Sequence, residues 1–156
     1  MPGLLEQTLA EIDAAFADAP RPPDAELLHE RCSDDNDVVA LYGVAHWRDL
    51  GDAVVEREYA ALSFLSPGGF RHFVPAYLSF ALRRLDTGAA AVDSTIWSLS
   101  PDRYDDPGLR EFARSKLEPL DGRQRAAAVA FLEAVRDLGD EYVAAEAELA
   151  LAWWRA

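Results

Sequence analysis

Histidine and cysteine are the first side chains to consider for chemistry, because both bind transition metals. His29 and Cys32 lie three residues apart in this sequence, and Asp34 and Asp35 follow them. This leaves a metal site open as one alternative, but the spacing matches neither H-x-x-x-H nor C-x-x-C, which are usual ligand patterns. The pattern favours the end of a solvated helix, and we expect no metal and no other cofactor.

A second candidate site is a ligand pocket beside a proline within a predicted helix. Pro75 has no N–H group, so it leaves a backbone carbonyl of the preceding turn free and kinks the helix. Arg71, His72 and Tyr77 lie close to it in the sequence. An arginine beside a titratable imidazole could hold an anionic ligand. The alternative is that these three side chains only fix the packing of the helix.

Known catalytic motifs do not occur in this sequence. It contains no G-x-S-x-G turn, which would present a serine nucleophile. The pair Gly68-Gly69 lacks the lysine of a phosphate-binding P-loop. We therefore assign no catalytic residue, and the sequence leaves open whether the protein is an enzyme.

Acidic residues outnumber basic ones, and the formal net charge is −13. The excess is concentrated in residues 1–66, which carry a net charge of −10, against −3 for residues 67–156. Such a surface repels the phosphates of nucleic acids and of anionic lipids, so we expect neither a nucleic-acid nor a membrane partner. A basic protein would be the complementary partner. The alternative is that the charge only maintains solubility.

Two groups of residues are candidates for contact with such a partner. Asp34, Asp35 and Asp37 crowd together in the acidic half of the chain. Trp153 and Trp154 are adjacent, and neighbouring residues of a helix point about 100° apart, so both cannot easily face one core. We expect Trp154 to be the second contact, because exposed tryptophan is common in interfaces.

Length and composition predict a single domain over residues 1–156. Half of the residues are apolar, which is enough for one sizeable core. No stretch reaches the roughly 18 apolar residues of a membrane span, and the N-terminal residues lack the basic and apolar regions of a signal peptide. We expect a cytoplasmic protein, and the single cysteine is consistent with a reducing compartment.

The hydrophobic periodicity and the capping residues predict an all-α fold. We expect a compact bundle of about seven short-to-medium helices around a central, proline-kinked helix. Residues 92–97 could alternatively form a short strand. The seven predicted helices are 4–17, 52–65, 66–85, 88–98, 109–117, 121–138 and 140–153. Two shorter helical segments are predicted in addition, one through 27–28 and one over 38–42.

The central helix is predicted to begin at Ser66, a good N-cap, with Pro67 as its first residue. Its longest apolar stripe should be buried, and the residues that we expect to be buried there are Phe70, Phe73, Val74, Tyr77 and Leu78. In the helix of residues 52–65 the inward face should include Val55, Tyr59 and Leu62. In the last helix one apolar face should consist of Tyr142, Ala145, Leu149 and Trp153.

One run of the sequence resembles a known family. The segment WRDL at residues 47–50 precedes ALSFLSPGGFRHFVPAYL at residues 61–78. This arrangement resembles a bacterial family catalogued as domain of unknown function 6714, whose members share a tryptophan segment followed by a run like LSxLSPEAFRYFLPAYL. The sequence departs from that run at Gly68 and His72. The resemblance implies a small bacterial protein without an assigned activity.

Two functions from different classes follow from these features. The first is a non-catalytic interaction module whose acidic half binds a basic protein, as an immunity protein inhibits a cationic toxin. The second is a small ligand-binding protein or enzyme with a pocket near Arg71, His72 and Tyr77. The sequence does not identify a partner, a substrate or an oligomeric state.

Overall fold

Eight α-helices form the fold in the computed structural model, which describes residues 2–156. The described residues contain no β-strand, and an isolated bridge pairs Leu28 with Leu65. The all-α prediction is therefore confirmed, and residues 92–97 are helical. The helices are α1 (Leu4–Phe16), α2 (Asp52–Arg57), α3 (Ala61–Phe64), α4 (Pro67–Arg83), α5 (Ala90–Ser98), α6 (Pro107–Ser115), α7 (Gly122–Leu138) and α8 (Glu141–Trp154). Short 3₁₀ turns occur at Asp24–Glu26, Val39–Leu41, Trp47–Asp49 and Pro101–Arg103.

The central helix is α4, and it begins as the sequence predicts. The Ser66 hydroxyl accepts a hydrogen bond from the backbone N–H of Gly69 at 3.1 Å, and Pro67 is the first helical residue. The helix continues through Pro75. All five side chains predicted to line its buried stripe are at most 1% exposed. α4 packs against α1, α5 and α7, so it forms the centre of the bundle.

The predicted helix over residues 52–65 is wrong as a single element, because the chain leaves the helical conformation at Glu58. The carbonyl of Glu58 accepts a hydrogen bond from the Tyr77 hydroxyl at 2.7 Å. The same carbonyl also accepts a hydrogen bond from the N–H of Ala61 at 3.1 Å, so it has partners although the helix is broken. Tyr59, predicted to face inward, is 48% exposed beside the break.

The apolar face described for the last helix, which contains Tyr142, Ala145, Leu149 and Trp153, is not the face that is buried. Tyr142 and Leu149 are more than half exposed. α8 has a second apolar stripe, and that stripe packs on α7 with small alanines that allow the two helices to approach closely. The buried residues are Val143, Ala147, Ala150 and Leu151.

The segment through Leu27 and Leu28 is not helical, contrary to the prediction. Its backbone pairs instead with the residues that precede α4. The N–H of His29 donates to the carbonyl of Phe64 at 2.8 Å, and the N–H of Ser66 donates to that of Leu27 at 2.6 Å. Two sequence-distant segments are thereby joined, and His29 is brought next to α6.

α6 begins earlier than predicted, because Asp106 caps it by accepting a hydrogen bond from the N–H of Leu109 at 2.8 Å. It also ends earlier, at Ser115. Lys116 therefore follows the helix directly instead of lying within it. None of the helices in residues 2–156 combines the length and the apolar composition needed to cross a membrane.

Candidate functional site

A cavity of about 200 Å³ lies between α3, α5 and α6. Its walls combine large apolar side chains with several hydroxyl groups. It opens to the surface near Ser63 and Leu109, both of which are exposed. The residues that line it are Leu62, Ser63, Ser94, Trp97, Ser98, Tyr104, Leu109, Phe112, Ala113 and Lys116.

Lys116 is the only lysine of the chain, and it is 5% exposed in the wall of this cavity. Its Nζ donates hydrogen bonds to the carbonyl of Leu62 at 3.1 Å and to that of Ser63 at 2.5 Å. The Nζ also lies 4.2 Å from the centre of the Phe112 ring, which is within range of a cation–π contact. Burial lowers the pKa of Lys116 to about 7.

The ends of two short helices explain why this lysine is buried. α3 ends at Phe64, so the carbonyls of Leu62 and Ser63 lie in its last turn and need donors from outside the helix. α6 ends one residue before Lys116, and the lysine side chain supplies those donors. Within residues 2–156, no carboxylate forms an ion pair with Lys116.

His29 and Phe112 line a smaller cleft of about 130 Å³, and Phe112 lines the larger cavity as well. The ring centre of His29 is 4.3 Å from that of Phe112, and its Nδ1 accepts a hydrogen bond from the N–H of Arg31 at 3.1 Å. Burial, and next the charge of Lys116, lower the pKa of His29.

A metal site at His29 and Cys32 was one alternative from the sequence, and the described residues provide no ligand cluster for it. The N–H of Cys32 donates to the carbonyl of His29 at 2.9 Å, so the two residues form a turn and not a helix end. The part of the chain that the structure describes has no group of three or more histidine, cysteine, aspartate or glutamate side chains arranged to hold a metal ion.

His72, predicted as part of a ligand pocket, is buried and bonded to two backbone groups. Its Nδ1 lies 2.9 Å from the carbonyl of Ala19, and its Nε2 accepts from the N–H of Trp47 at 3.1 Å. A neutral ring with its proton on Nδ1 satisfies both contacts. Burial lowers the pKa of His72, which favours this neutral form.

Arg71 and Tyr77 are likewise held by protein groups. The Nε of Arg71 donates to the Oε1 of Gln124 at 2.9 Å, and the hydroxyl of Tyr77 is buried against the carbonyl of Glu58. Burial raises the pKa of Tyr77. Neither residue lines the two cavities described above, nor does His72. The structure places the three residues on α4 but gives their polar atoms separate partners.

The predicted interaction residues lie in two separate places. Asp34 and Asp35 are exposed and Asp37 is half-buried in the loop before Val39–Leu41. Asp35 accepts a hydrogen bond from the Tyr42 hydroxyl at 3.1 Å. Trp154 is half-buried, and its Nε1 donates to the carbonyl of Leu99 at 2.9 Å, so part of its surface serves packing.

The fold and the site together define a small all-α protein with a largely apolar cavity, in whose wall one lysine is buried. The chain belongs to the Family of unknown function (DUF6714), whose model matches residues 5–156. No curated protein and no solved structure matches the chain.

Proposed function

We propose that this protein binds a small molecule with an apolar body and a carboxylate head group in the Lys116 cavity. One observation supports the proposal: the buried ammonium group of Lys116 lines a largely apolar cavity and has no carboxylate partner in the described residues. Buried charges in proteins are normally paired, because transfer of an isolated charge from water is very unfavourable. A carboxylate ligand would supply the missing counter-ion.

The size and walls of the cavity match a ligand with one ring. A cavity of about 150 Å³ is sufficient to hold benzene in other proteins, and this one has about 200 Å³. Trp97, Leu109 and Phe112 provide apolar and aromatic contacts. The hydroxyls of Ser94 and Ser98 donate to backbone carbonyls within α5 and retain acceptor capacity towards the cavity.

The charge state of Lys116 makes the binding of such a ligand depend on pH. The ammonium form attracts a carboxylate, and the neutral amine does not. Since the pKa of Lys116 is about 7 in the free protein, a bound anion raises that pKa and binding takes up a proton. The affinity should therefore be highest below pH 7, where the ligand carboxylate is still ionised, and should fall at higher pH.

Isothermal titration with benzoate at pH 6 and pH 8.5 tests this proposal. We expect benzoate to bind at pH 6 and to bind about tenfold or more weakly at pH 8.5. Lys116→Met should abolish binding at pH 6. Arg114→Met is the matched control, since it removes an exposed cation two residues away, and it should leave the affinity unchanged. Equal benzoate affinity in the Lys116→Met variant and the wild-type protein would contradict the proposal.

A second proposed function is the binding of a basic protein by the acidic N-terminal half. Of the fourteen acidic residues in positions 1–66, those that form ion pairs in the described chain are Asp13, Asp24, Asp52 and Glu58. The remaining acidic side chains of this half keep their negative charge uncompensated by close arginines. Such a surface would accelerate association with a cationic partner at low salt.

Neutralisation of one acidic cluster tests this second function in a pull-down from the native host at low salt. We expect to recover a stoichiometric basic partner with the wild-type protein. The triple variant Asp34→Asn, Asp35→Asn, Asp37→Asn should bind that partner more weakly. The control is Asp102→Asn, Asp105→Asn, Glu118→Gln, which removes the same charge from exposed residues of the other half. The proposal would be contradicted if no such partner were recovered, or if both triple variants weakened its binding equally, because Asp34, Asp35 and Asp37 would then not form the docking surface.

A further inference from the structure

We infer that Lys116 is also a nucleophile, which condenses with the carbonyl carbon of an aldehyde or ketone held in the cavity and forms an imine. This inference goes beyond reversible anion binding, but it rests on the proposed function in one respect: the Lys116 cavity must admit a ligand. The substrate class is a small carbonyl compound with an apolar or aromatic body, because the cavity walls are Trp97, Leu109 and Phe112.

The hydrogen bonds of the Nζ orient the amine for this reaction. A neutral lysine has two N–H bonds and one lone pair. The carbonyls of Leu62 and Ser63 accept two N–H bonds, which leaves one tetrahedral direction of the nitrogen unoccupied by protein acceptors. In the neutral form the lone pair occupies that direction. The two backbone carbonyls therefore hold the amine with its nucleophilic side directed away from themselves.

The environment of Lys116 also increases the fraction of neutral amine. An exposed lysine with a pKa of about 10.4 is almost entirely protonated at pH 7 and hardly nucleophilic. With its pKa at about 7, half of Lys116 is neutral there. Three titratable groups lie near Lys116: His29, Cys32 and Tyr104. Burial and next the lysine charge lower the pKa of His29. Cys32 acts on the pKa of Lys116 in the direction opposite to burial, and burial has the larger effect.

The reaction balances without an oxidant or a reductant. The Nζ lone pair forms a bond to the carbonyl carbon, and the C=O π electrons move to the oxygen, which takes up a proton as the nitrogen loses one. The resulting carbinolamine takes up a second proton on its oxygen, and the C–O bond breaks to release water. The nitrogen lone pair then forms the C=N bond of a protonated imine. Hydroxyl groups in the cavity wall can hydrogen-bond the oxygen as it leaves.

The imine can be accommodated by the same backbone groups. A protonated imine has one N–H, which can remain on the carbonyl of Leu62 in the buried part of the site. The carbonyl of Ser63 then loses its donor. Its residue is exposed, so water can replace the lysine there.

Reductive trapping with benzaldehyde and cyanoborohydride at pH 7 tests the inference. Peptide mass mapping then shows which amines have gained a benzyl group. Because Lys116 is the only lysine, it and the chain's α-amino group are the amines that can react. We expect Lys116 in the folded protein to be labelled at least about tenfold faster than in guanidinium chloride, where its pKa returns to the ordinary value. Labelling of Lys116 no faster in the folded than in the unfolded chain would overturn the inference.

Two controls separate this inference from the proposed function. The double variant Arg114→Lys, Lys116→Met moves the only lysine to a side chain that is 51% exposed, and its lysine should be labelled at the slow rate of the unfolded chain. Benzoate should protect Lys116 of the wild-type protein from labelling. If Lys116 resists labelling while benzoate still binds, the covalent inference fails and the proposed function stands. If benzoate does not bind at pH 6, the proposed function fails, whatever the rate of labelling.

Discussion

Lys116 has three structural roles: it follows the last residue of α6, it donates hydrogen bonds to the last turn of α3, and it forms part of a cavity wall. A leucine or methionine would fill the same volume but would leave the two carbonyls without a partner. The chemistry of the site therefore depends on a residue that also has a packing role, and experiments on it must separate the two.

Burial of Lys116 should make the stability of the protein increase with pH in the range just above neutrality. The unfolded chain keeps this lysine protonated up to about pH 10.5, whereas the folded protein loses the proton around pH 7. Because the unfolded state binds more protons in that interval, the free energy of unfolding rises with pH. Below pH 7 both states are protonated, and this contribution no longer changes.

Urea unfolding at pH 7 and pH 9 measures this effect. We expect the free energy of unfolding of the wild-type protein to gain about 2 kcal/mol over this range relative to Lys116→Met, since each pH unit contributes up to about 1.4 kcal/mol. The difference between the two proteins removes the contributions of other groups that titrate near pH 9. The same pH dependence in both proteins would show that Lys116 has an ordinary pKa in the folded state.

At the scale of the helix, α8 shows how packing selects between two apolar stripes of one sequence. Leu151 is 1% exposed and Leu149 is 61% exposed, although they lie two residues apart. We expect Leu151→Ala to destabilise the protein by about 2–5 kcal/mol, through lost burial and a cavity. Leu149→Ala should change the free energy of unfolding by less than about 0.5 kcal/mol.

Thermal or urea unfolding of the two alanine variants provides the comparison. The substitutions are chemically identical and in the same helix, so helix propensity cancels between them. A larger loss of stability for Leu149→Ala than for Leu151→Ala would mean that the outer stripe of α8 is the one that packs.

Local signals predicted the elements whose determinants lie close together in the sequence. Ser66 and Pro67 mark the start of α4, and Asp121 with Gln124 forms the capping box that begins α7. The break after α2 was not predictable from local signals, and the Glu58 carbonyl at the break accepts a hydrogen bond from the Tyr77 hydroxyl, nineteen residues away. The choice of face in α8 depends on α7.

The Lys116 site was missed for a related reason. Its three parts are α3, α5 and the end of α6, and only the tertiary fold brings them together. One signal was present: a single lysine in a chain whose other fixed cations are all arginine. That observation distinguishes position 116 from the other basic positions, but it does not specify a cavity. A pocket at Arg71, His72 and Tyr77 was predicted from their proximity to Pro75 and from an arginine beside a histidine, and the structure gives each of the three a protein partner.

At the scale of the whole molecule, the net charge of −13 should make self-repulsion an important term in stability. Salt screens exposed charges over about 8 Å at physiological ionic strength. We therefore expect the melting temperature at pH 7 to rise when sodium chloride is added. The ion pairs of the protein oppose this trend, but exposed pairs each contribute only about 0–1 kcal/mol. A melting temperature that falls steadily with salt would show that the ion pairs outweigh the net charge.

Charge alone would extend the same expectation to mild acidification, but two buried histidines oppose it. Burial lowers the pKa of His29 and of His72 in the folded protein. The unfolded chain therefore takes up protons below about pH 6.5 that the folded state does not bind, and stability is lost as the pH falls. The salt titration at constant pH is free of this opposing effect and is the better measure of self-repulsion.

NMR of ¹³Cε-labelled lysine tests whether Lys116, buried without a carboxylate partner in the described residues, forms a ligand-binding site. Because the chain has a single lysine, one signal reports its protonation without assignment. We expect a titration midpoint at about pH 7 in the free protein, and a shift of that midpoint to higher pH when benzoate is saturating. A midpoint above about pH 10, as for an exposed lysine, that benzoate does not change would contradict this expectation.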